Sequence, residues 1–144
     1  MKGYILAADM SNGISTVTKQ TKYGTYTSSV KIHEDDNDIA NTYDGCYFAE
    51  MKCDIKAYHE KAMRMKERAR GIEHAYNVLL DSCDPDDPHM IKLERQVMVA
   101  WQQYNNALET YKILKESYYP FIETTLKSRR EFRKKIDKHR NMYS

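Results

Sequence analysis

The sequence predicts an α+β protein that is mainly α: a small N-terminal three-stranded antiparallel meander, then a long antiparallel coiled-coil hairpin of helices. Three observations carry this. β-branched runs separated by turn signals fill residues 3–32. An unbroken apolar spacing of three and four residues begins at Phe48, and a second stripe beginning at Met90 mirrors it.

The meander reads from its turns. Tyr4-Ile5-Leu6-Ala7-Ala8 is a short apolar run, and Ser11-Asn12-Gly13 follows it. Asn-Gly accepts the positive φ angles of a tight hairpin turn. Ile14 to Thr18 is β-branched, a second turn ends at Gly24, and the third strand places Tyr26, Val30 and Ile32 on one face. Three short strands are marginal alone and need a helix to pack on.

Residues 33–45 form an acidic connection. A calcium loop fails on spacing. Counting from Asp36, Asn41 stands where the motif needs glycine and Tyr47 where it needs glutamate. A solvated loop ending in Asp44, placed to cap the next helix, is the simpler reading.

Helix 1 is expected over 46–81, with its stripe at Phe48, Met51, Ile55, Tyr58, Ala62, Met65, Ala69, Ile72, Tyr76 and Leu79. A spacing sustained over several heptads argues for coiled-coil packing. Residues 82–87 break it, with Asp87 as N-cap and Pro88 at the first helical position. Helix 2, expected over 88–119, carries Met90, Leu93, Val97, Ala100, Tyr104, Ala107, Tyr111, Leu114, Tyr118 and Phe121. Folding back at the loop sets Leu79 against Met90, Ala69 against Ala100, Ala62 against Ala107 and Phe48 against Phe121. A short loop favours such antiparallel neighbours, and each arm would be roughly 50 Å long. Pro120 predicts a kink, or a break with a separate basic helix over 121–140. The whole, 1–144, is read as a single domain.

Composition narrows the function. No apolar stretch approaches the ~18 residues of a membrane span, and the opening apolar run is interrupted by Asp9, too early for a secretory signal. Three cysteines, Cys46, Cys53 and Cys83, form no paired motif and suit reduced thiols, so a cytoplasmic location is expected. His33, His59, His74, His89 and His139 are scattered, and no nucleophile, zinc or phosphate-loop motif is present. The chain is therefore read as no enzyme, with no cofactor and no metal.

Two surfaces remain as candidates. Met98, Trp101, Leu108, Ile113 and Ile122 flank the stripe of helix 2. Two helices cannot cover so wide an apolar face, which predicts a partner or homo-oligomer interface, such as four helices from two hairpins. Lys127, Arg129, Arg130, Arg133, Lys134, Lys135, Lys138 and Arg140 make a basic end that could contact an anion or nucleic acid. The competing expectation is that the acidic connection neutralises them, with Asp38 opposite Glu131. Twelve tyrosines suit half-dry interfaces.

The expected function is a non-enzymatic, homo-oligomeric interaction protein. It would bind, block or sequester a host macromolecule or anionic ligand, and its composition suits a phage or mobile-element accessory. The alternatives are a nucleic-acid-binding protein using residues 127–140 and a nucleotide sponge with sites between subunits.

Overall fold

A computed structural model describes residues 1–32 and 42–143. Strands β1 (Gly3–Ser11), β2 (Ile14–Thr21) and β3 (Gly24–Lys31) form an antiparallel sheet in the order β1-β2-β3. Helix α1 spans Thr42–Leu80 and α2 spans Pro88–Tyr143. This is the α+β, mainly α fold read from the sequence. The chain divides into two compact units, Met1–Ala57 with Leu114–Ser144, and Tyr58–Ile113.

In the first unit the turn between β1 and β2 takes φ of 56° at Asn12 and 75° at Gly13, as the Asn-Gly signal requires. The β2–β3 turn is held by the Thr21 hydroxyl, which accepts from Tyr23 N at 3.1 Å and donates to Gly24 O at 3.0 Å. One sheet face carries Ser15, Val17, Lys19 and Thr21 of β2 with Ser28 of β3, all buried. The first turns of α1 lie on it through Ala49 and Cys53, with Cys46, Tyr26 and Val30 packed around them. The Cys53 thiol donates to Tyr26 O at 3.3 Å and to Val17 O at 3.5 Å. Gly45 permits this approach, since a Cβ there would collide with the Ser15 side chain. Phe48, also buried, meets Phe121 of α2 edge-on, ring centres 6.2 Å apart.

The second unit is the helical hairpin. Ala62, Ala69, Met90, Ala100 and Ala107 are buried, and Tyr58, Met65, Ile72, Tyr76, Leu93, Val97, Tyr104 and Tyr111 are half-buried. These are the predicted stripe positions. Leu79, at the open loop end, is the exception and is exposed. His59 stacks edge-on against Tyr111 at 5.0 Å and the Lys66 ammonium sits 5.8 Å from the Tyr104 ring centre, within one residue of the mirrored register. The loop closes as expected, with Asp87 Oδ1 accepting from His89 N at 2.8 Å in front of Pro88.

Two expectations are corrected. Helix α1 starts at Thr42 rather than Cys46, so Asp44 is inside its first turn instead of capping it. Helix α2 is a single element with Pro120 inside it, so there is no break and restart, and residues 121–140 continue helix 2. A proline removes one hydrogen bond to the carbonyl four residues earlier. That residue, Glu116, is exposed, as is Pro120, so water can satisfy the freed carbonyl. Most of the acidic connection, including Asp36 and Asp38, lies outside the described residues.

Candidate interaction surface

The first unit holds the clearest surface features. Its two sheet edges are treated differently. Along β3, Lys52 and Lys56 reach down from α1 and donate to Ser29 O at 3.1 Å and Thr27 O at 2.8 Å. Thr27 and Ser29 turn their hydroxyls to the outer face, bonding Thr18 and Thr16 at 2.9 and 2.8 Å. This edge is closed by positive charge, a common protection against strand pairing. Strand β1 has no such guard among the described residues. Every residue of β1 is exposed, Tyr4, Ile5, Leu6 and Met10 among them. Its pairing with β2 shifts register between Ile5 and Ala7, which marks Leu6 as a bulge.

Beside β1 a cavity of about 560 Å³ opens between the sheet and the helices. Ile5, Ala8, Val17, Cys46, Phe48 and Phe121 give it an apolar wall, with Tyr43 and Tyr47 at the exposed rim. Tyr47 and Phe121 lie 5.8 Å apart, ring centre to ring centre. The polar end of the cavity is an ion pair. Arg129 donates twice to Asp44, Nε to Oδ2 at 3.1 Å and Nη2 to Oδ1 at 3.0 Å. The hydrogen bonds that Arg129 donates to Asp44, with the charge of that carboxylate, raise the Arg129 pKa further above its usual value, so the guanidinium stays charged.

Lys19 is the charged group in the sheet core. Its Nζ bonds Glu50 and Asp54 at 2.9 Å each and Met1 O at 2.7 Å. Burial works against its charge, but the bonds to the two carboxylates outweigh that and raise its pKa above 10.5.

The residues singled out from the sequence are spread over the chain. Of the basic end, Arg129 is tied to Asp44, and Arg133 is 3.6 Å from Asp137 on its own helix. Lys127, Arg130, Lys134, Lys135, Lys138 and Arg140 are exposed on α2. In the hairpin unit, Met98 and Ile113 are exposed, whereas Trp101 and Leu108 are half-buried. The Trp101 indole donates to Glu73 Oε2 at 2.7 Å and packs edge-on against Tyr104 at 5.8 Å. Ile122 belongs to the first unit, beside Tyr118 and Tyr119. Sequence reasoning missed the open β1 edge, whose apolar run was its only signal. It also missed Lys52 and Lys56 of α1 and Lys115 of α2, which line one cavity beside β3. Among the described residues no group of three His, Cys, Asp or Glu is placed to hold a metal ion, and no helix is long and apolar enough to cross a membrane.

No family model, curated protein or solved structure matches the chain.

Proposed function

We propose that this is a non-enzymatic interaction protein that assembles with a second copy of itself through strand β1, and in that form binds, blocks or sequesters a macromolecular or anionic target. The observation that carries the reading is the contrast between the two sheet edges. Natural sheets blunt their edges with lysine, proline or cover, and among the described residues β3 carries lysines across its outward carbonyls while β1 does not.

Strand β1 suits its own copy. Six apolar or aromatic residues around it, Tyr4, Ile5, Leu6, Met10, Tyr43 and Tyr47, are 44–82% exposed. At ~200 Å² for a large side chain they offer roughly 700 Å², close to the ~800 Å² that each partner contributes to a stable interface. Alternation along the strand turns the backbone groups of Ala7 and Asp9 towards β2, opposite Thr18 and Thr16, and those of Ala8 and Met10 outwards. Antiparallel pairing about Ala8 lets Ala8 exchange both backbone hydrogen bonds with its own copy. It sets Asp9 against Ala7 of the other copy, so the two aspartates do not meet. Trp101 is already engaged by Glu73 within its own hairpin, which makes the helix 2 stripe the weaker candidate for assembly.

Light scattering with size exclusion tests this. A mass of two chains of 17.0 kDa is expected at micromolar concentration, with Met10→Lys returning it to one chain without lowering the melting temperature. A native monomer, or a dimer indifferent to Met10→Lys, would remove β1 as the interface.

A second reading, nucleic-acid binding, is favoured by the exposed cations of residues 127–140. Contact with phosphates would give an affinity that falls steeply with salt and is lost on reversing Arg130, Arg133 and Lys134 to glutamate.

A further inference from the structure

We propose that the cavity beside β1 is a binding site for a small neutral aromatic molecule. The site lies within one chain and does not depend on self-assembly. Its volume of about 560 Å³ is that of small-ligand sites. The floor is made by the sheet. Ile5 pairs with Lys19 and Ala8 with Val17, and paired residues share a face, so Ile5 and Ala8 stand on the side where Lys19 and Val17 are buried. Over β2 that side is covered by α1, with Ala49 and Cys53 packed on Val17. Over β1 the cover stops, Ile5 and Ala8 are exposed, and the space above them is the cavity.

The wall sets the shape of the ligand. Phe121 is the centre of an aromatic row: it meets Phe48 edge-on at 6.2 Å and Tyr47 at 5.8 Å, with the latter rings inclined by 50°. Phe121 and Tyr47 are 40% and 53% exposed, so two rings of the row adjoin the opening. A flat apolar molecule lying between these rings and the aliphatic floor would take apolar surface out of water on both of its sides. It would also gain the offset or edge-to-face contacts that aromatic pairs prefer. A saturated chain would gain the burial without the ring contacts.

The charges of the wall set its neutrality. Among the described residues lining the cavity, the charged side chains are Asp44, Glu50 and Arg129. Asp44 and Arg129 are paired with each other through two hydrogen bonds, at 3.0 and 3.1 Å. Glu50 is paired with the buried Lys19 at 2.9 Å. Each charge is therefore already matched within the protein. A ligand ion would give up hydration without meeting a counter-charge, which is costly, whereas a neutral ring system gives up little.

The test is a ligand-observed magnetic resonance titration of the full chain at neutral pH with naphthol, naphthoate, naphthylmethylammonium and octanol. Naphthol is expected to bind below about 1 mM, and the two ions and octanol about tenfold or more weaker. Ala8→Leu puts a larger side chain into the floor and should weaken naphthol about tenfold. Ala7→Leu, on the opposite face of the strand where it pairs with Thr18, should leave binding unchanged. Both positions are exposed, and thermal melts check that each variant folds. If Ala8→Leu melts early, Phe121→Leu decides, because it keeps apolar bulk and removes a ring; it too should weaken naphthol. Met10→Lys lies outside the wall and should bind naphthol as the native chain does, whatever its mass, which separates this site from the assembly of two copies. No binding of naphthol would overturn the inference. So would equal binding of either ion or of octanol, undiminished binding by Ala8→Leu and Phe121→Leu, an equal loss in Ala7→Leu, or loss of the site in Met10→Lys.

Discussion

Lys19 stands where the meander would otherwise carry an apolar residue, and its ammonium holds Glu50 and Asp54 of α1 to β2. The two carboxylates are four residues apart on one helix face, so without the lysine they would repel each other in a partly buried space. Lys19→Met is expected to destabilise the protein by about 2–4 kcal/mol in urea unfolding, since breaking a buried pair strands the remaining charge. Adding Asp54→Asn should return part of that loss. The sign of the pH effect follows from the raised pKa. The cluster contributes fully below pH 10.5 and is lost as pH climbs through the higher folded value. Tyr118 acts in the same direction. Burial, with a smaller contribution from the neighbouring Tyr119, pushes its phenol from 10.0 up to about 12. Stability should therefore hold to about pH 10 and fall above it, with one tyrosine ionising late in an ultraviolet titration. A flat stability curve through pH 11 would contradict both assignments.

At the scale of elements, local rules read well and combinations across elements did not. The Asn12-Gly13 turn was legible because its dihedral requirement belongs to two residues. The hairpin register was legible because both stripes repeat in phase, so one loop position aligns Phe48 with Phe121. The sheet-facing side of α1 was not legible. Ala49, Cys53 and Ala57 are fully buried, yet small residues add little to a hydrophobic pattern. Their small size is what lets the helix lie close to the strands. The mirrored spacing did bring the basic end to the acidic connection, but it set Asp44 opposite Thr125, and Arg129, one turn further along α2, is the residue that reaches it. Pro120 lies inside one continuous α2 rather than at a break, on a wet face where solvent can reach the freed carbonyl. Pro120→Ala should restore the missing helical bond and raise stability by about 1–3 kcal/mol, measurable as a higher urea midpoint. A loss of stability instead would mean that the packing of Tyr118 and Phe121 requires the proline.

At the scale of the whole molecule, the chain divides into a unit built on the sheet and a unit built as a hairpin, and the two are buried to different depths of chemistry. The hairpin interior is largely alanine and half-covered tyrosine, while the sheet unit holds the charged core at Lys19, both aromatic cavities and the unequal edges. That inequality implies a gradient in how long backbone amides keep their protons. Strand β2 is bonded on both sides and buried on alternate residues, whereas β1 is bonded on one side and exposed throughout. Openings that need little free energy begin at such margins. In deuterated buffer, β2 amides are expected to exchange last in the sheet and β1 amides first. Raising the protein concentration should slow Ala8 and Met10, whose amides face outwards, and leave the β2 amides at the pace set by global unfolding. The same strand would then be the most labile part of a lone chain and a protected one in an assembled pair, which makes its deuterium uptake a gauge of how many copies are joined.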